Sequence, residues 1–229
     1  MTSGAQELLS VLSLLPDGLS DAELVQRTLP ISNMFACKSV LLRTSLAFKG
    51  NNKRLKLLVP IREYISRVHP PSTTLKLSLQ QHFYQILDIW NSFKNDLPSA
   101  DMIPHITSNL GNLNYVLSDA LGVHNSDSIQ VLRCVLSLND FYEYTNKSFS
   151  PFLQRLSEEI TTRQDDPIYG TFLIAMIRTS SLLPTLHFED QIALGIQYFE
   201  SADTLEQGHL MGANVVVTYQ TYSGFKQTG

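Results

Sequence analysis

At 229 residues the chain exceeds the usual size of a single compact core, so two structural units are expected rather than one. Apolar residues make up 43% and charged residues 17%, which excludes a disordered, charge-rich tail and leaves enough hydrophobic surface for a packed interior. The net charge of −4 is unevenly spread: residues 1–71 hold nine Lys/Arg against five Asp/Glu, leaving −8 for the remainder. Such asymmetry marks a nucleic-acid-facing module beside an acidic one, or two parts that dock on each other.

Apolar residues at 5, 8, 9, 11, 12, 14 and 15 predict a helix buried on most sides, stopped by Pro16-Asp17-Gly18. Ser20-Asp21-Ala22-Glu23 is a capping box: Ser20 accepts from the Glu23 amide and Glu23 reaches back to the Ser20 amide. A short second helix then runs to about residue 28. Pro30 breaks the chain, Asn33 can cap, and Met34, Phe35, Cys37, Val40, Leu41 and Leu42 trace a third helix to about residue 44. The period then changes. Residues 45–49 and 53–59 flank Gly50-Asn51-Asn52, which predicts a small β-hairpin. Pro60 suits the first turn of a following helix carrying Ile61, Tyr64, Ile65 and Val68. Helix, helix, helix, hairpin, helix is the winged-helix order. Pro70-Pro71 coincides with the charge reversal and is the expected domain seam, giving a winged-helix domain over 1–71 and a helical array over 72–229.

Beyond the seam, helices are expected over residues 75–93, 100–121, 127–145, 149–163, 167–182, 188–204 and 208–222. Seven antiparallel helices with short breaks suggest stacked helix pairs. The last two come closest to a tetratricopeptide-like pattern, with small Ala193, Ala202, Gly212 and Ala213 beside large apolar residues. The chain ends where another helix would pack, so a truncated array is expected. The fold class is therefore mainly α, a winged helix with a small hairpin followed by a tetratricopeptide-like array.

Signals for bond chemistry are weak. The six histidines, His69, His82, His105, His124, His187 and His209, show no i, i+4 pair and no nearby cysteine pair, so no metal site is expected. Glu158-Glu159 and Asp165-Asp166 read as solvated helix ends. No phosphate loop, dinucleotide fingerprint or nucleophile elbow occurs, so no catalytic residue is assigned and the chain is not expected to be an enzyme. Cys37 and Cys134 sit in apolar helical patterns and read as buried thiols, favouring a reducing compartment. No run of 18 apolar residues and no basic leader occurs, so a cytoplasmic protein without a membrane partner is expected. A winged helix could bind DNA, with Lys49, Lys53, Arg54 and Lys56 on the wing touching phosphate. The third helix, with Lys38 and Arg43 its only cations, is poorly suited to base edges, so a protein-facing winged helix is favoured over a nucleic-acid partner.

The stretch Gln6-Glu7-Leu8-Leu9-Ser10-Val11-Leu12-Ser13-Leu14-Leu15-Pro16-Asp17-Gly18-Leu19-Ser20, the helix Leu41-Leu42-Arg43-Thr44-Ser45-Leu46 and the stretch Lys53-Arg54-Leu55-Lys56-Leu57-Leu58-Val59-Pro60-Ile61-Arg62-Glu63-Tyr64-Ile65 resemble fungal NB-ARC proteins. These belong to the STAND class of signal-transduction NTPases, related to the NOD-like receptors. The resemblance covers residues 5–71 closely and the rest only as a helical continuation. It implies the regulatory part of such a receptor, the winged helix packing on a nucleotide-binding domain within an ADP/ATP switch and the array binding a ligand or protein partner. In the family, a Met-His-Asp or Leu-His-Pro signature places a histidine near the ADP phosphates. Leu58-Val59-Pro60 stands in that place here, so Val59 and Pro60 form a degenerate sensor position, valine having no hydrogen to donate. The resemblance makes Arg62, Glu63 and Tyr64 the interface candidates. The family's ADP or ATP with Mg is held by a domain with no counterpart in these residues, so no cofactor is expected in this chain. A stand-alone helical-repeat adaptor and a winged-helix DNA binder are the alternatives.

Overall fold

A computed structural model of the chain describes residues 1–25, 29–50, 52–92, 101–122, 129–147, 150–153, 155–156 and 167–180. These residues are mainly helical and divide between two compact units, Met1–Ser126 and Asp127–Gly229. The first contains α1 (Ser3–Ser13), α2 (Asp21–Val25), α3 (Met34–Arg43), β1 (Ala47–Lys49), β2 (Leu55–Leu57), α4 (Val59–Val68), α5 (Thr73–Ser92), α6 (Met102–Thr107) and α7 (Leu110–Gly122). The second contains α8 (Ile129–Tyr144) and α9 (Pro167–Ser180). The expected helices over 188–204 and 208–222, with their tetratricopeptide-like stretch, and most of the one over 149–163, lie outside the described residues.

Helix α1 is the hub of the first unit. Its apolar run puts Ala5, Leu8, Leu9, Val11 and Leu12 in the core, and it packs on α3, α4 and α5. Two polar residues are buried with them, yet neither hydroxyl is orphaned: Ser10 donates to the Glu7 carbonyl at 2.7 Å and Ser13 to the Ser10 carbonyl at 2.6 Å. Gly4 lets α3 come close, since a Cβ there would lie 2.9 Å from Cys37 Sγ. Cys37 and Cys134 are both free and buried, as their apolar surroundings predict.

The capping box forms as expected: the Ser20 amide donates to Glu23 Oε2 at 2.6 Å and the Glu23 amide to Ser20 Oγ at 3.2 Å. Ser20→Ala is expected to cost about 1 kcal/mol in thermal unfolding; an unchanged midpoint would show that Glu23 is held without the box. Asn33 stands at the start of α3 but is left-handed, with φ 53°, and its side chain does not cap.

Strands β1 and β2 pair antiparallel with Ala47 opposite Leu57, Phe48 opposite Lys56 and Lys49 opposite Leu55. The far edge of β2 is met by Leu19, whose amide donates to Leu55 O at 3.1 Å while the Leu55 amide donates to Leu19 O at 2.7 Å. The hairpin is thus stitched to the turn that follows α1. On α4, Pro60 lies in the first turn, where its missing N–H costs nothing, and Ile65 is the buried residue. Tyr64 and Val68, expected on the same helix, stay exposed.

In α5, Leu75, Leu79, His82, Phe83, Ile86, Leu87 and Trp90 recur at helical spacing and are buried, with α1 and α7 as neighbours. The single helix expected over 100–121 is two. α6 closes with the Asn109 amide donating to Ile106 O at 2.9 Å, and α7 opens with the Leu113 amide donating to Asn109 O at 2.8 Å. Local bonds close the turn: Ser108 Oγ donates to His105 O at 2.8 Å and Asn109 Nδ2 to the same oxygen at 3.3 Å. The expected seam at Pro70-Pro71 lies inside the first compact unit, whose boundary follows Ser126. The reason is physical: α5 lies on α1, and the turn after α1 is hydrogen-bonded to α7.

In the second unit α8 buries Val131, Leu132, Cys134, Val135, Leu136, Leu138 and Phe141 and packs on α9. Asn139, fully buried, accepts from the Ser150 amide at 3.0 Å and donates to Glu143 Oε1 at 2.7 Å. Among the described residues, no helix is long and apolar enough to cross a membrane.

Candidate functional site

The residues singled out by sequence, Val59, Pro60, Arg62, Glu63 and Tyr64, all lie on α4. Val59 is the first residue of the helix and is 54% exposed, matching Leu58 before it. Pro60 and Glu63 are exposed, Tyr64 is 61% exposed and Arg62 is half-buried. Spacing of four makes two adjacent ridges, Val59-Glu63-Arg67 and Pro60-Tyr64-Val68, while Ile65 faces the core. Glu63 approaches Arg67 at 3.9 Å across one turn, a solvated pair of little energetic weight. Val59, Pro60, Glu63 and Tyr64 thus lie on adjoining exposed ridges of α4, while the half-buried Arg62 belongs to neither ridge.

Behind the hairpin lies a buried polar network that sequence reading missed. Arg54 is 3% exposed, as is Glu23, and their side chains pair at 3.0 Å. Arg54 Nε donates to Asp17 O at 3.0 Å, and Nη2 lies 2.8 Å from Gly18 O and 2.6 Å from Asn109 Oδ1. Its two Nη2 hydrogens are shared among these acceptors and Glu23. Asn109 Nδ2 in turn donates to Glu23 Oε1 at 2.7 Å, and Asn112 Nδ2 to Gly18 O at 2.9 Å and to Asn109 Oδ1 at 3.0 Å.

The link to α7 is reciprocal: the Asp17 amide donates to Asn112 Oδ1 at 2.9 Å, and the Asn112 amide donates to Asp17 Oδ2 at 3.1 Å. The Asp17 carboxylate thus satisfies an orphan amide in the first turn of α7, at the positive end of the helix dipole. Gly111 makes room for it, since a Cβ there would come within 2.7 Å of Asp17 Oδ2.

Burial alone would push the Glu23 carboxyl up. The nearby His105 ring, the Arg54 charge, and the Ser20 and Asn109 donors outweigh it and hold the carboxyl well below its usual range. His105 Nε2 stands 3.7 Å from Glu23 Oε1 at the exposed end of this network. His82 is buried, and desolvation is the main cause that lowers its pKa below 6.5.

Two of the cations considered for DNA contact are withdrawn from solvent. Arg54 is the centre of the network rather than a wing side chain, because a guanidinium with this many fixed acceptors is retained by them. Lys38 of α3 is buried and bonded to Asp21, which Lys49 also approaches at 3.7 Å. The Lys38 hydrogen bond is the main cause that keeps the Asp21 carboxyl low. Arg43 and Lys53 remain exposed, and Lys56 is half-buried.

No family model, no curated protein and no solved structure matches the chain. The site therefore rests on its own geometry. Among the described residues, no group of three or more His, Cys, Asp or Glu side chains could hold a metal ion. The signals that could have revealed the network are a pair of asparagines at i, i+3 within an apolar run, Asn109 and Asn112, and an arginine directly before the inward-facing Leu55.

Proposed function

We propose that the chain is a non-catalytic regulatory module of the STAND class, its first unit packing through α4 on a nucleotide-binding domain and its helical remainder binding a ligand or protein partner. The observation that carries this reading is the exposed strip Leu58-Val59-Pro60-Glu63-Tyr64-Val68 on a helix whose opposite side is fixed to α1. Tyr64 with Val68 one turn on is an exposed aromatic–aliphatic pair, and Leu58 and Val59 are exposed at the start of the helix; apolar surface of this kind suits a protein face. With valine in place of the family's histidine, the strip would contribute contact area to such a face rather than a hydrogen bond to phosphate.

Calorimetric titration of the chain with an NB-ARC nucleotide domain, in ADP and in ATP, tests this. Tighter binding in ADP supports a switch role for α4. Absence of binding in both states overturns it and leaves an adaptor of helix pairs as the better account. Tyr64→Ala is expected to change stability by no more than about 0.5 kcal/mol, because the side chain is mostly exposed. The same variant should weaken the ADP-state complex about tenfold or more if Tyr64 anchors the interface. Equal affinity in the variant would remove Tyr64 from the contact.

A further inference from the structure

We infer that His82 is a proton-operated release point for α5 within the first unit. The ring is 5% exposed, and its Nε2 is enclosed with no hydrogen-bond partner among the described residues. Burial without a partner at Nε2 favours the neutral ring. A second N–H and a positive charge would find no acceptor there.

The charged groups acting on the ring come from three elements: Glu23 from α2, Arg54 from the hairpin and His105 from α6. Glu23 is the one favourable member, and its carboxylate is already engaged by Arg54, Asn109 and the Ser20 amide. On α5 itself the positions one turn away are Ser78, Leu79, Gln85 and Ile86, none ionisable. Of the packed neighbours, α1 carries Glu7, and α7 carries Tyr115 and Asp119, the latter 3.9 Å from Lys76.

Burial and the Arg54 and His105 charges depress the ring's affinity for a proton in the fold, against the pull of Glu23. The unfolded chain takes up that proton at its ordinary value near 6.5. Stability is thus full above that pH and falls as pH drops below it, until the folded ring itself titrates. Glu23, whose carboxyl is held low, stays ionised over this window and adds a separate loss only below its ordinary value of 4.5.

Trp90, the only tryptophan of the chain, is buried on α5 about two turns from His82 and reports this helix. Urea unfolding of the full chain, followed by its fluorescence, should show the folded-to-unfolded ratio falling by up to about tenfold per pH unit below 6.5. His82→Gln and His82→Leu should both flatten the dependence between pH ~7.5 and ~5.5, and His105→Gln should keep it. An unchanged slope in His82→Gln, or its loss in His105→Gln, overturns the assignment. Should both His82 variants fail to fold, the ring-proton NMR titration of the unaltered protein decides: a midpoint below 6.5 supports the release point, and one at or above it refutes it.

Discussion

Arg54→Ala is expected to destabilise the first unit by about 3–5 kcal/mol, read from Trp90 fluorescence during urea unfolding. The magnitude comes from what the substitution leaves behind rather than from what it removes. Glu23 would remain charged, 3% exposed and without its counter-ion. Asp17 O would lose its Arg54 donor, and Gly18 O and Asn109 Oδ1 would keep only Asn112. A buried charge with its partner deleted is costly, whereas replacing both partners with neutral groups is much less so. Glu23→Gln combined with Arg54→Met should therefore recover part of the loss. A double variant as unstable as Arg54→Ala alone would show that shape, not charge pairing, holds the hairpin. Arg54→Lys should fall between, since an ammonium keeps the charge but cannot span acceptors fixed by the planar fork.

Gly18→Ala is expected to cost on the order of 3 kcal/mol, measured as a fall in thermal midpoint with the Trp90 signal. Two effects add. The backbone at Gly18 is left-handed, with φ +68°, which disfavours any side chain. A Cβ there would also lie 2.1 Å from Leu55 O, a backbone atom that can move only by opening the Leu19–Leu55 bridge. The loss should exceed that of Gly4→Ala, whose Cβ would meet the Cys37 side chain at 2.9 Å. Equal losses at the two positions would mean that the bridge contributes little.

Local features were legible in the sequence and long-range ones were not. Ser20 and Glu23 are three residues apart, and the capping box they spell is the one that forms. Likewise the hairpin follows from a change of period around Gly50, and the helices from their apolar spacing. Arg54 was misplaced because it sits among Lys53 and Lys56 in a segment that reads as a solvated wing. The groups that bury it lie 31 and 55 residues away, in α2 and at the start of α7. The break between α6 and α7 falls at Ser108-Asn109, where both side chains bond back to His105 O and Asn109 also meets Glu23 and Arg54. On α4 the resemblance singled out Val59, Pro60, Arg62, Glu63 and Tyr64, whereas helical spacing grouped Ile61, Tyr64, Ile65 and Val68, of which Ile65 is the buried one.

The reach of the Asp17–Asn112 pairing, 95 residues along the chain, bears on how the protein is made. Synthesis delivers Glu23 and Arg54 first and the two asparagines roughly 60 residues later. At about 5–20 residues per second, several seconds pass in which Glu23 and Arg54 are present without the amides that complete their network. The nascent N-terminal segment is in that interval a chain with its most polar interior still open. The native arrangement needs residues up to Asn112, so the first unit cannot complete its polar interior before that part of α7 has been made.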